Sequence, residues 1–156
     1  MAVLEELEMM SEERFLSIYE SLAQQGFGPL DGELALKLRF RPKAIRKLPM
    51  DKRARHARAH LLGGKNREMT YELFGSYLMR KDKALLTDFL DATGVAHEDG
   101  MIEDIDEGLP DGSKISGAVE ALDGKYPPDD VTLYLALSAE HWPQVEEVHS
   151  AWSARR

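Results

Sequence analysis

The 156-residue sequence contains no cysteine. That absence removes disulfides, thiolate nucleophiles and cysteine-ligated zinc or iron–sulfur centres together. The fold must then rest on apolar packing, and the composition fits a reducing, cytoplasmic setting. No apolar run approaches the roughly 18–20 residues that span a bilayer. The opening Met1-Ala2-Val3-Leu4-Glu5-Glu6 lacks the basic start and apolar stretch of a secretory signal. The expectation is a chain without an export address and without a membrane partner. Also missing are the Gly-x-Ser-x-Gly elbow of α/β-hydrolases and any repeat of solenoid period.

What is present is an ordinary globular composition, 43% apolar and 31% charged, which argues against global disorder. The length suits one domain, and no linker divides the chain, so a single helical domain over residues 1–156 is expected. Charge is the informative property. The formal net charge is −8, yet between Lys37 and Arg67 twelve Lys/Arg face one acid, Asp51, a local balance of +11. The rest of the chain holds 8 basic and 27 acidic residues, or −19. Such segregation points to an anionic partner or to docking of opposite surfaces.

Apolar periodicity is mainly helical. Leu4, Leu7, Phe15, Ile18 and Leu22 fall near one face, with Ser11 placed to cap a second helix, and Gly26-Phe27-Gly28-Pro29 ends the unit. Leu34, Leu36, Leu38 and Phe40 alternate as a strand would, but the Glu, Leu, Ala and Lys content of 32–38 favours helix. Pro42 opens a short helix that Pro49 closes. Asp51 caps the next, which Gly63-Gly64 stops. Asn66 caps a helix striped by Met69, Leu73, Phe74, Tyr77 and Leu78. Asp82 opens one ended by Gly94. Residues 95–103 suggest a small hairpin turning at Asp99-Gly100. Ser113, Pro128 and Pro143 begin the last three helices. The expectation is an all-α array of about seven to nine helices, with one minor hairpin near 95–103.

Several constellations resemble functional motifs and fail on chemistry. His56 and His60 share a helix edge suited to zinc, but Arg53 lies beside them and Ala57 stands where metalloproteases carry glutamate. Gly63-Gly64-Lys65 lacks the first glycine and the Ser/Thr of a phosphate loop, with Ala59 and Asn66 in those places. In the acidic run 103–108, a calcium loop counted from Asp104 has Asp106 at its third position but Gly108 and Leu109 at the fifth and sixth, the wrong register. His97 beside Glu98 and Asp99 makes no evident acid–base pair. No catalytic, cofactor or metal residues are assigned and no cofactor is expected.

Two features remain. Arg39, Arg41, Lys43, Arg46, Lys47, Lys52, Arg53, Arg55 and Arg58 form a cationic stretch suited to phosphates or carboxylates, and Trp142 beside Pro143 suits an interface anchor. The acidic stretch Glu98–Asp111 is the opposing surface. The leading expectation is a non-enzymatic helical module that uses this charge segregation to meet a protein partner or itself. A nucleic-acid-binding accessory protein comes second, weakened by the two prolines and the lone aromatic, Phe40, in the basic segment. A small enzyme with an unrecognised pocket comes third.

Overall fold

The computed structural model describes residues 2–102 and 108–155. Ten helices and no strand occur among these residues, an all-α architecture as expected and one helix above the expected upper count. The chain divides into two compact units, Val3–Tyr77 and Leu78–Arg156. The boundary falls inside a helix, just after Gly75-Ser76, which do not interrupt it.

The first unit contains α1 (Ala2–Met9), α2 (Glu12–Gln24), α3 (Pro29–Leu38), α4 (Pro42–Lys47), α5 (Met50–Gly63) and the start of α6 (Arg67–Lys81). Ser11 separates α1 from α2 by accepting a hydrogen bond from the Arg14 amide at 3.1 Å, which satisfies one open donor of the first turn. Asn66 does the same for α6 through the Met69 amide. α2 packs on α5, and α3 packs on both α4 and α5. Phe15, Ile18, Leu22, Leu34, Leu61, Leu73 and Phe74 are fully enclosed.

The second unit contains the end of α6, then α7 (Lys83–Thr93), α8 (Gly112–Asp123), α9 (Pro128–His141) and α10 (Glu146–Ser153). α9 is its hub. Every residue from Val131 to Ala139 except Thr132 is buried, so this helix is covered on nearly all sides. α8 and α10 pack against it and against each other, and α7 packs on α8. Phe89 meets the Tyr134 ring edge-on at 5.0 Å. α10 starts at Glu146 rather than at Pro143, because Pro143-Gln144 are spent on the turn after α9.

The expected hairpin is reduced to one antiparallel bridge, Glu98 with Met101. The turn at Asp99-Gly100 does form, with both residues at positive φ, 53° and 89°, the signature of a type I′ turn. His97 braces it: Nδ1 accepts from the Gly100 amide at 3.0 Å while Nε2 meets Asp91 at 2.6 Å. Residue 103 and most of the acidic run invoked for calcium lie outside the described residues.

Candidate interaction surface

The cationic stretch is built from the end of α3, the whole of α4 and the start of α5. α4 is anchored by one side chain. Ile45 is fully buried, and the other five of its six residues are exposed. Six residues are too few for a helix to be stable alone, so α4 is held against α3 and presents its polar residues outward. Arg39, Arg41, Lys43, Arg46, Lys47 and Lys52 are exposed, and their side chains make no hydrogen bond or ion pair among the described residues. Arg55 is exposed too, bound to Asp51 one turn earlier at 3.0 Å with both side chains more than half in solvent. Such a surface pair holds little energy and leaves the guanidinium available.

Three residues of the expected surface are placed elsewhere. Arg53 is 7% exposed. Its Nη2 binds Asp31 at 2.5 Å and its Nε donates to the Tyr19 hydroxyl at 2.9 Å. Tyr19 in turn donates to Asp31 at 2.6 Å. Burial, and next the Asp31 carboxylate, raise the Tyr19 hydroxyl well above its ordinary pKa. Burial opposes the Arg53 charge, but Asp31 and Tyr19 outweigh it and hold the guanidinium above its usual range. Arg53 therefore links α2, α3 and α5 from within. Arg58 donates to the carbonyls of Leu7, Glu8 and Met10, closing the C-terminal end of α1, where cations and donors satisfy open carbonyls. Trp142 is 2% exposed and donates from Nε1 to the Gly108 carbonyl at 3.0 Å. It is a core residue of the second unit rather than an interface anchor, and Trp152 is likewise enclosed.

Two residues that complete the surface were not identified from the sequence. Leu36 is 84% exposed and Phe40 48% exposed, and in the chain they alternate with Lys37, Arg39 and Arg41. At 100° per residue, Leu36 stands opposite the face defined by Leu30, Leu34 and Ala35, all buried, so its outward position was recoverable from the wheel. α3 ends with Arg39 in the left-handed conformation, φ 57°, and the Phe40 amide reaches back to the Ala35 carbonyl at 2.9 Å. This is a Schellman stop with arginine where glycine is cheaper by about 1 kcal/mol. The same occurs after α5. Gly63-Gly64 were expected to supply the stop, but Lys65 takes the left-handed position at φ 48°.

Helix electrostatics explain only part of this set. Lys37, Arg39 and Lys65 sit near helix C-termini, where cations are favourable. Arg41 and Lys43 flank the N-terminus of α4 and Lys52 lies in the first turn of α5, where cations oppose the helix dipole.

Of the remaining sequence candidates, His60 is paired through one ring nitrogen, while its Nδ1 is buried without a hydrogen-bond partner. His60 Nε2 meets Glu33 at 2.9 Å, and Asn66 donates to the same carboxylate, while His56 is exposed. No group of three or more His, Asp or Glu residues suited to a metal occurs among the described residues. A groove of about 420 Å³ runs between α2 and α5, floored by Phe15, Leu16 and Leu62 and edged by Glu12, Glu13 and Arg55. Its edge groups are carboxylates and guanidinium, with no nucleophile–base pair. No helix among the described residues is long and apolar enough to cross a membrane. Comparison with known proteins found no matching family model, curated protein or solved structure.

Proposed function

We propose that the protein is a non-enzymatic interaction module whose first unit captures an anionic partner protein on its cationic face. One observation carries this reading: the side chains of six exposed cations, Arg39, Arg41, Lys43, Arg46, Lys47 and Lys52, make no ion pair among the described residues, and two apolar residues of the same stretch of chain, Leu36 and Phe40, are exposed. Cations of this kind steer encounter and set specificity. Desolvation of an apolar centre supplies binding energy that charge alone does not. A polyphosphate backbone would use the charge and leave the leucine idle, which puts a protein partner ahead of nucleic acid.

The test is fluorescence anisotropy with a labelled acidic polypeptide of glutamate and leucine, and with a duplex of roughly 20 base pairs, at about 50 mM and 300 mM salt. The polypeptide is expected to bind at low salt. Arg41→Glu with Lys43→Glu and Lys47→Glu should weaken it at least about tenfold without changing the circular dichroism, and Leu36→Ser with Phe40→Ser should weaken it at both salts. Absence of binding at low salt, or indifference to the reversals, overturns the reading. Duplex binding with a steep salt slope, in place of polypeptide binding, transfers the surface to nucleic acid.

A further inference from the structure

The chemistry wanted of the partner is present in the chain itself. The first unit, Val3–Tyr77, carries thirteen Lys/Arg and eleven Asp/Glu, a balance of +2, whereas Leu78–Arg156 carries seven and seventeen, a balance of −10. The second unit also has an apolar groove. Between α8 and α10 lies a groove of about 590 Å³, floored by Ile115, Val119 and Ala151 and rimmed by Glu146 and Glu147. Both glutamates are exposed and make no hydrogen bond or ion pair among the described residues. Arg155, the one cation among the described residues that line the groove, is held by both oxygens of Asp123 at 2.7 and 2.8 Å, which leaves Glu146 and Glu147 as the charge of the described rim. Gly112 at the start of α8 lets the Glu147 carboxylate lie close, since a Cβ there would stand 2.6 Å from it.

We infer that the anionic partner is a second copy of this chain, and that the Leu36–Phe40 tip of one copy seats in the α8–α10 groove of the next. The inference rests on the interaction reading above and names its partner. The two surfaces complement each other in polarity and in charge: an exposed leucine and phenylalanine flanked in the chain by Lys37, Arg39 and Arg41, against an apolar floor beside two carboxylates without an ion pair among the described residues. Burying either apolar element alone would strand the charges around it, whereas docking them together pairs the rims. Each copy has one tip and one groove, so the contact joins unlike surfaces of two copies. Its footprint is small, in the transient class below about 1,200 Å², so association is concentration-dependent and sensitive to salt.

The test is sedimentation velocity on the full chain from about 10 µM to about 1 mM, the range that weak complexes require. At about 50 mM salt the average mass should rise above the 17.6 kDa of one chain and return to it at about 500 mM. A tip variant, Leu36→Ser with Arg39→Glu and Arg41→Glu, and a groove variant, Glu146→Lys with Glu147→Lys, should each remain monomeric. Ser116→Trp, which fills the groove from an exposed position, is a second block. The tip variant mixed in equal amounts with the bulk-blocked variant Ser116→Trp should form a dimer that grows no further, because one intact tip meets one intact groove and no lysine rim is present to attract the glutamate tip. Monomers at every concentration, with the acidic polypeptide still captured, overturn self-docking and leave the interaction reading standing. Monomers that capture nothing overturn both. Association that survives the tip and groove variants assigns it to other surfaces and overturns this one.

Discussion

At the scale of single residues, the sharpest contrast is between Arg53 and its neighbours on α5. Lys52 and Arg55 are exposed, whereas Arg53 shares the buried side of the helix with Ala54, Ala57 and Leu61. That side was legible, because at 100° per residue these four span about one third of the circumference. What the sequence could not supply was Asp31, 22 residues earlier, as the counter-charge. Without a known partner, arginine in a basic run reads as solvated. Removing one member of a buried pair leaves the other charge uncompensated, which costs about 3–5 kcal/mol. Arg53→Met is therefore expected to lower the stability of the first unit by an amount in that range, and Asp31→Leu likewise. The double variant should be less damaged than the sum of the two, because no charge is left buried. Urea unfolding followed by circular dichroism checks this; additive losses would show that the pair is not coupled.

At the scale of elements, local signals placed most helices. Ser11, Asn66, Gly94 and Pro128 mark boundaries through caps and fixed dihedrals, which depend on nearby chain alone. The assignment of 32–38 to helix was right although its leucines alternate, because Leu36 is simply not buried. Sequence could not tell that α4 hangs on Ile45, nor that α9 is enclosed while α5 is half exposed, since those follow from which helices meet. Enclosure at the end of α9 has a consequence for pH. Burial holds the His141 pKa below its ordinary value near 6.5, so the unfolded chain takes up the proton first. Stability of the second unit is then complete above about pH 6.5 and falls as pH drops from there toward the lowered folded value, by at most about 1.4 kcal/mol per pH unit. Both tryptophans lie in that unit, so their fluorescence reports it selectively. Urea midpoints should decline between pH 7.5 and 5.5, and the decline should flatten in His141→Gln. An equal slope in the variant would remove His141 as the cause.

At the scale of the whole molecule, the charge division read from the sequence acquires a physical form. Of the twelve cations between Lys37 and Arg67, Arg53 and Arg58 serve the interior and the other ten are exposed. Composition made the segregation visible. It could not reveal which cations the fold consumes, nor that the apolar residues beside them face outward. The groove between α8 and α10 was equally hidden, because it exists only once two helices separated by more than twenty residues pack together. On the reading proposed above, the cations of α4 and its flanks serve a partner and not the fold. The most direct test is the urea midpoint of Arg41→Gln, Lys43→Gln, Arg46→Gln and Lys47→Gln combined, at low salt, with tryptophan fluorescence of the second unit as the internal reference. Like charges without counter-ions repel, so the first unit should keep its stability or gain by up to about 1 kcal/mol. A loss of more than about 1 kcal/mol would mean that the chain's own carboxylates hold these side chains, and would contradict the account.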